Sequence, residues 1–297
     1  MIPSGPIAVT GAGGRLGRAM VAVLHARGLD ARSWSRPDYD LDRAGVAADL
    51  VDRDRPVLVL HAAAWTDVDG CAKDPATAER RNGSATAELA EACAAAGAGL
   101  LYVSTNEVFD GRRLDSAGYV ESDAVDPPNA YGASKLSGER RAREAYGSRD
   151  DGAGGLWIVR TSWLYGPPGN DFPAKILAAR DRLDPEAALR VVSDEVASPT
   201  SVQHLADGIV ALLERVEGGT YHLANGGRAS RFEWARTILE ACARHGPMEA
   251  IPGSAWDRAS VPPSWGVLDC SLAESLGVRL PPWRPASDGY ARSLCAA

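Results

Sequence analysis

The chain has 297 residues, enough to bury a large core in one α/β domain or in a domain with a smaller lobe. Its 32 Lys and Arg against 39 Asp and Glu give a net charge of −7 without any block of like charge, which argues against a nucleic-acid partner. Five scattered cysteines predict neither a zinc site nor a disulfide framework, and the sequence offers no export signal or membrane-length apolar run, so we expect a cytoplasmic protein with no membrane partner.

The first half of the chain alternates between predicted strands and helices. Apolar runs predict strands at 6–10, 31–35, 57–60, 99–103 and 156–160, and helical spacing or alanine-rich composition predicts helices at 16–27, 76–96 and 131–146. Continuous apolar strands between helices are typical of a parallel sheet covered on both faces. We therefore predict an α/β fold built on a Rossmann-type, doubly wound parallel sheet.

From about residue 172 onward, the regular alternation of predicted strands and helices ends. Shorter strands are predicted at 190–192 and 220–223, helices at 202–216 and 231–245, and a proline-rich tail follows. We predict that residues 1–170 are mainly the dinucleotide-binding domain. Residues 171–297 are then mainly a smaller substrate-binding lobe, interleaved with the sheet.

The turn after the first predicted strand is rich in glycine and reads TGAGGRLG, residues 10–17. Glycine permits the tight turn and lets backbone N–H groups approach a pyrophosphate at the start of the next helix. An ordinary glycine-rich turn is the alternative, but a position between a strand and an amphipathic helix favours dinucleotide binding. The predicted cofactor residues of this turn are Gly11, Gly13, Gly14, Arg15, Leu16 and Gly17.

The end of the second predicted strand is where a Rossmann fold reads the adenosine ribose. Ser35 and Arg36 stand at this place, and an arginine there accommodates the 2′-phosphate of NADPH. Asp38 and Asp40 follow closely and leave NADH open as the cofactor.

Tyr131 and Lys135 are four residues apart and therefore share one face of a predicted helix. A lysine beside a phenol favours the phenolate, so we expect Lys135 to lower the pKa of Tyr131 and to suit it for acid/base chemistry. Ser104 and Thr105 end a predicted strand at the carboxyl edge of the sheet, where ligands bind.

The ordered motifs resemble those of the extended short-chain dehydrogenases/reductases, and most closely the dTDP-4-dehydrorhamnose reductases. The motifs are the glycine turn, HAAAWTDVDGC at 61–71, STNEVFDG at 104–111, YGASK at 131–135, RTSWLYG at 160–166, SPT at 198–200 and GTYHLANGG at 219–227. They span nearly the whole chain. This order of motifs points to the subfamily, whereas any one of them would mark only the superfamily.

The resemblance implies NADPH-dependent reduction of the C4 carbonyl of a nucleotide-linked 4-keto-6-deoxysugar. Tyr131 then donates the proton, Lys135 holds the nicotinamide ribose and Thr105 binds the carbonyl oxygen. Ala62, Ala63 and Ala64 match a stretch beside the cofactor in this family, although simple sheet packing also explains them. The substrate residues that the resemblance implies are Thr66, Val68, Asn106, Glu107 and Trp163. For Trp163, a core position is the alternative.

Two residues depart from the family pattern Ser-Thr-Asp-Tyr-Val-Phe-Asp-Gly. Asn106 replaces the aspartate and Glu107 replaces the tyrosine, so an aromatic hydroxyl that faces the sugar becomes a carboxylate. An arginine expected near residue 263 is missing, and Arg258 is a candidate to replace it. We therefore hypothesise a related 4-keto sugar nucleotide, with Glu107 reading a sugar hydroxyl.

Two rival functions stay open at this point. One is a sugar-nucleotide epimerase or dehydratase with tightly bound NAD, and the other is a non-catalytic subunit like the regulatory β-subunit of methionine adenosyltransferase. Intact Thr105, Tyr131 and Lys135 favour an enzyme. The sequence predicts no metal site and leaves open the nucleotide, the product stereochemistry and a homodimer.

Overall fold

The computed structural model describes residues 4–147 and 155–296 of the chain. Within them the strands are β1 (Ile7–Thr10), β2 (Ala31–Trp34), β3 (Leu58–His61), β4 (Gly99–Thr105), β5 (Leu156–Thr161), β6 (Leu164–Tyr165), β7 (Leu189–Val192), β8 (Val196–Ala197), β9 (Thr200–Ser201), β10 (Gly219–His222), β11 (Ala229–Ser230) and β12 (Met248–Ile251). The helices are α1 (Arg15–Ala26), α2 (Val46–Asp54), α3 (Val68–Lys73), α4 (Pro75–Ala78), α5 (Ala85–Ala95), α6 (Ala130–Tyr146), α7 (Phe172–Arg182), α8 (Val202–Leu213), α9 (Arg231–Ala241), α10 (Ser271–Ser275) and α11 (Trp283–Ala296).

The central sheet has six strands in the order β10-β5-β4-β3-β1-β2, and every neighbouring pair is parallel. The chain leaves β1 for β2 on one side and returns to β3 on the other side. The sheet therefore has a topological switch point between β1 and β3, and ligands of such sheets bind at the carboxyl ends of these strands.

Helices cover both faces of the sheet. On one face, α1 and α8 pack over a buried cluster that includes Met20, Leu24, Leu205 and Ile209. On the other face, α2, α5 and α6 contribute apolar side chains to a second buried cluster. This arrangement confirms the predicted doubly wound α/β fold. No described helix combines the length and the apolar character needed to cross a bilayer.

The helix predicted over 76–96 is not continuous. The helical segment Glu79–Ser84 between α4 and α5 widens to π geometry, and Gly83 lies within it. A π segment shifts the residues that follow around the helix axis and is frequent at functional sites. Here it turns the buried side chain of Asn82 towards α6.

The second half of the chain supplies elements to two layers. Strand β10 joins the central sheet beside β5, while α7, α9 and α11 enclose a separate cluster around Trp234 and Ile238. The division at residue 170 stays a prediction.

A disulfide joins Cys242 at the end of α9 to Cys295 in α11, which corrects the expectation of no disulfide. The two cysteines are 53 residues apart, and they meet only because α11 returns to pack on α9. Sequence spacing could not show this. The remaining cysteines, Cys71, Cys93 and Cys270, are free thiols.

Candidate active site

Two cavities meet at the glycine turn, at the switch point of the sheet. The first, of about 360 Å³, contains Tyr131 and is called the Tyr131 cavity; the second, of about 490 Å³, contains Arg36 and is called the Arg36 cavity. Their walls share Gly11, Gly14, Ala62 and Ala64.

Each predicted site residue lines at least one of these cavities, and the roles of these residues stay predictions. The predicted site residues that line the Tyr131 cavity are Gly11, Gly14, Arg15, Leu16, Gly17, Ala62, Ala64, Thr66, Val68, Thr105, Asn106, Glu107, Tyr131, Lys135 and Trp163. The predicted site residues that line the Arg36 cavity are Gly11, Gly13, Gly14, Ser35, Arg36, Ala62, Ala63 and Ala64.

The glycine turn has the shape that a dinucleotide pyrophosphate requires. Gly11 has a φ of +63°, and a Cβ there would lie 2.9 Å from the backbone nitrogen of Ala63. A Cβ on Gly17 would overlap the carbonyl group of Gly11. The first turn of α1 has no acidic residue, and Gly14 offers no side-chain cap, so its free N–H groups can bind an anion.

A buried histidine joins the ends of β1 and β3 below this turn. His61 Nε2 lies 3.1 Å from Thr86 Oγ1, which donates its own hydrogen to the carbonyl of Asn82 at 2.7 Å. Nε2 must therefore be the donor, which leaves Nδ1 to accept from Thr10 Oγ1 at 2.7 Å. Burial, aided by the charge of Lys135, lowers the pKa of His61 to about 3, so the ring is neutral. Thr10 Oγ1 in turn accepts the N–H of Ala63 and fixes the loop that follows β3, residues 62–67.

Asn82 extends this network to α6. Its Oδ1 accepts the N–H of Trp65 at 2.8 Å, and its Nδ2 donates to Ser134 Oγ at 3.0 Å. Ser134 donates to the carbonyl of Tyr131 at 2.8 Å. The loop that follows β3 and the first turn of α6 are thus connected through buried hydrogen bonds.

Tyr131 lies in the first turn of α6, opposite the end of β4. Its pKa is raised above the ordinary value by burial and then by the carboxylate of Glu107, while a hydrogen bond from Thr105 lowers it. The expectation that Lys135 lowers the pKa of Tyr131 is therefore wrong: the pKa is raised, because a buried phenolate beside a carboxylate is costly. Tyr131 stays protonated at neutral pH and is ready to donate a proton.

Lys135 is only 3% exposed and lies one turn below Tyr131. Its ammonium lies 4.1 Å from the ring centre of Tyr102, a favourable cation–π distance. Burial lowers the pKa of Lys135 to about 7, against the opposing charge of Glu139. A bound ligand whose two neighbouring hydroxyl groups accept hydrogen bonds from Lys135 would stabilise its charged form.

Replacing Lys135 with methionine is expected to raise the melting temperature of the cofactor-free protein by about 2–4 °C at pH 7 while abolishing activity, because it removes a buried charge. Folded Lys135 has a pKa near 7 and the unfolded residue 10.5, so the unfolded state binds more protons between these values. The stability of the wild type should therefore rise relative to that of the variant as the pH increases over this range. The difference between their melting temperatures should become smaller from pH 7 to pH 9.

Thermal unfolding from pH 6 to pH 9 checks this expectation. Exposed Lys175 on α7 provides the control, because the melting temperature of Lys175→Met should differ from that of wild type by the same amount at every pH. A Lys135→Met variant that is less stable than wild type by a constant amount at every pH would contradict the expectation.

Sequence reasoning missed Arg231 and Thr161 in the wall of the Tyr131 cavity. The guanidinium of Arg231 lies 3.6 Å from the ring centre of Trp163, which also stacks on Trp234 in the lobe core. Burial lowers the pKa of Arg231 to about 10, and it remains a cation. Thr161 Oγ1 is buried and has no partner among the described residues. Its place at the end of β5 was the signal available in the sequence, whereas nothing local marks Arg231.

The Arg36 cavity contains both acidic and basic groups. Arg80 and Arg81 pair with Asp42, and the hydrogen bond from Arg81 lowers the Asp42 pKa to about 2. Arg36 has no salt bridge within the described part of the chain. Its guanidinium is therefore available to an anion.

Asn106 and Arg15 are tied to the protein as well as lining the cavity. The amide of Asn106 donates to the carbonyl of Gly266 at 3.1 Å, and Arg15 donates to the carbonyls of Gly169 and Asn170. Arg258 pairs with Glu195. Within residues 4–147 and 155–296, no group of three or more His, Cys, Asp or Glu side chains could hold a metal ion.

Comparisons with known proteins agree with this geometry. The family model described as "RmlD substrate binding domain" matches residues 5–294. A dTDP-4-dehydrorhamnose reductase of Streptomyces griseus is 36% identical, covering 97% of this chain and 93% of that protein. A dTDP-4-keto-6-deoxy-D-glucose reductase of Streptomyces niveus is 34% identical over 88% of this chain and 87% of its own length. The crystal structure of dTDP-4-dehydrorhamnose reductase from Bacillus anthracis in complex with NADP superposes with a TM-score of 0.88 at 29% identity, covering 98% of this chain and all of that one.

Proposed function

The chain belongs to the RmlD substrate-binding-domain family, and on this premise we propose that it is an NADPH-dependent oxidoreductase of deoxysugar biosynthesis. It reduces the C4 keto group of dTDP-4-dehydrorhamnose or of a closely related nucleotide-linked 4-keto-6-deoxysugar. The observation that carries the proposal is the placement of Thr105, Tyr131 and Lys135 in one cavity that adjoins the glycine turn.

The two cavities suit the two ends of the cofactor. The free N–H groups at the start of α1 would bind the pyrophosphate, and Arg36 with Ser35 would bind the 2′-phosphate of the adenosine. Lys135 would hold the nicotinamide ribose, and the unpartnered hydroxyl of Thr161 is free to bind the ligand nearby. When bound, NADPH supplies the hydride.

The protein residues supply the proton and hold the carbonyl oxygen. Tyr131 donates its phenolic hydrogen to the oxygen of C4 as negative charge develops there. Thr105 donates a second hydrogen bond to the same oxygen. In the ligand-free protein its Oγ1 accepts the N–H of Glu107 at 3.2 Å and makes a long contact of 3.4 Å with Asn106. Charged Lys135 then stabilises the tyrosinate that is left.

The substrate's nucleotide diphosphate finds a cation in the same cavity. Arg231 lies on the Trp163 ring and lines the Tyr131 cavity. The relatives include reductases of two different 4-keto sugars, so the family leaves the sugar undecided. We place the enzyme in the cytoplasm, where NADPH and nucleotide sugars are made, and keep the homodimer as a prediction.

The proposed function predicts NADPH oxidation by the purified protein on dTDP-4-dehydrorhamnose or dTDP-4-keto-6-deoxyglucose, followed at 340 nm. One NADPH should be consumed for each alcohol formed, and NADH should be used less efficiently. Turnover of a sugar nucleotide without added cofactor, by protein that carries bound NAD, would support the epimerase or dehydratase instead. Lack of turnover in both assays would favour the regulatory subunit.

A further inference from the structure

Glu107 stands beside the reacting carbonyl but takes no part in the chemistry described above. It is the middle residue of a short 3₁₀ turn (Asn106–Val108) directly after β4, and its N–H donates to Thr105 Oγ1 at 3.2 Å. It lines the Tyr131 cavity together with Thr105 and Tyr131. A group held at Thr105 is therefore within one side-chain length of the Glu107 carboxylate.

One oxygen of this carboxylate is held in place by the protein. Oε2 accepts a hydrogen bond of 2.7 Å from Nδ2 of Asn129. Asn129 is itself fixed, because its Oδ1 caps α6 through the N–H of Gly132 and its Nδ2 also donates to the carbonyl of Val261. The side chain of Glu107 is thus oriented before any ligand binds.

The other oxygen, Oε1, has no hydrogen-bond partner among the described residues, and Glu107 forms no salt bridge there. Burial raises the pKa of Glu107, whereas the bond from Asn129 and the charge of Arg231 lower it. Oε1 is accessible to solvent in the cavity, so a substrate that displaces the water there must supply a hydrogen-bond donor in its place. Glu107 lines the same cavity as Tyr131.

We propose that Glu107 makes the enzyme select nucleotide-linked 4-keto sugars that carry a hydroxyl on the ring carbon next to the carbonyl. Oxygens on neighbouring ring carbons lie within hydrogen-bonding distance of each other, so a carbonyl at Thr105 and Tyr131 brings the adjacent hydroxyl to Glu107. A tyrosine at this position can donate or accept, but an ionised carboxylate only accepts. A substrate bound beside ionised Glu107 must therefore supply a hydrogen-bond donor.

The charges around the cavity favour a hydroxyl over an ammonium as that donor. Arg231 lines the same cavity, and Arg258 lies close enough to affect Glu107 although it pairs with Glu195. A substrate ammonium would gain from Glu107 but would be repelled by Arg231 in the cavity wall, whereas Glu195, which pairs with both arginines, does not line the cavity. A neutral hydroxyl bonds the carboxylate without this repulsion.

The inference rests on the proposed function and is tested with matched substrates. The measurement is kcat/KM for NADPH oxidation on a dTDP-4-keto-6-deoxysugar with the adjacent hydroxyl, on its 3-deoxy analogue and on its 3-amino analogue. Wild type should prefer the hydroxyl sugar to the deoxy sugar by about 100-fold or more, since a hydrogen-bonding site discriminates strongly against a missing donor.

Glu107→Gln should reduce this preference to below about 10-fold, because it removes the charge and keeps an oxygen that can accept from Asn129. Glu107→Leu should nearly abolish it. Exposed Glu144 on α6 provides the control, and Glu144→Gln should leave the preference unchanged. If Glu107 only positions Asn129, the Gln variant will change activity on both sugars by the same factor and leave the preference as in wild type, which would overturn the inference.

The outcomes separate the inference from the proposed function. A wild type that reduces hydroxyl and deoxy sugars equally well, or prefers the amino sugar, refutes the role of Glu107 and leaves the reductase standing. A wild type that oxidises NADPH with none of the sugars refutes the proposed function and the inference together. If the Leu variant fails to fold, the Gln variant decides.

Discussion

Replacing Tyr131 with phenylalanine is expected to lower kcat about 100- to 10,000-fold, the usual contribution of a general acid. The hydroxyl is the group placed to protonate the alkoxide, and its raised pKa keeps it protonated in the resting enzyme. The ring itself remains, so the cavity keeps its shape. The Kd for NADPH, measured by fluorescence titration, should change only a few-fold.

Tyr146 at the far end of the same helix provides a matched control. Its hydroxyl donates to the carbonyl of Ala98 at 2.7 Å, away from both cavities. Tyr146→Phe should cost about 1 kcal/mol of stability and leave kcat unchanged. A Tyr131→Phe variant with more than a tenth of the wild-type kcat would remove Tyr131 from the chemistry.

Replacing Glu139 with glutamine is expected to destabilise the fold by about 3–5 kcal/mol, the effect of leaving a buried charge unpaired. Glu139 is fully buried and accepts two hydrogen bonds from Arg160, at 2.9 and 2.8 Å, and one from Ser104 at 2.6 Å. Burial opposes ionisation of Glu139, but Arg160 outweighs it and the pKa is lowered. The variant would leave the Arg160 guanidinium without its charge partner in the core.

The loss should reach the active site as well as the stability. Ser104 precedes Thr105 on β4, and Arg160 precedes Thr161 on β5, so the pair joins the strands that line the Tyr131 cavity to α6. Urea unfolding measures the free energy, and kcat/KM is compared at a temperature where the variant is folded.

A double variant tests the physical reason. Glu139→Gln combined with Arg160→Met removes both charges and should recover much of the lost stability. Glu144→Gln on the exposed side of the same helix should stay within about 0.5 kcal/mol of wild type. A Glu139→Gln loss below about 1 kcal/mol would contradict the importance of the pair.

Local patterns in the sequence were enough to predict the sheet, the glycine turn and the position of Tyr131 and Lys135. Apolar runs and glycine spacing act over a few residues, so strands β1 to β5 fall within two residues of their predicted bounds. The π segment around Asn82 was missed because its cause is tertiary. Asn82 bonds to Trp65 and to Ser134, which is 52 residues away.

Long-range contacts also explain the other differences. Arg231 is the first residue of α9, and the packing of α9 on α7 and α11 places it on the ring of Trp163 in the cavity wall. No local motif marks it. The pKa of Tyr131 is raised by burial and by Glu107, which comes from a different element, and not lowered by the lysine four residues away as its spacing had predicted. The disulfide of Cys242 depends on the return of α11.

The central claim is that hydride passes from added NADPH to C4 of the sugar while the protein supplies the proton. Single-turnover reaction with NADPH deuterated at the transferred position, analysed by mass spectrometry and NMR of the product, tests this most directly. The account predicts one deuterium, at C4 of a sugar alcohol, and none in the Tyr131→Phe reaction on the same timescale. A sugar product without deuterium, formed with no loss of NADPH, would contradict it.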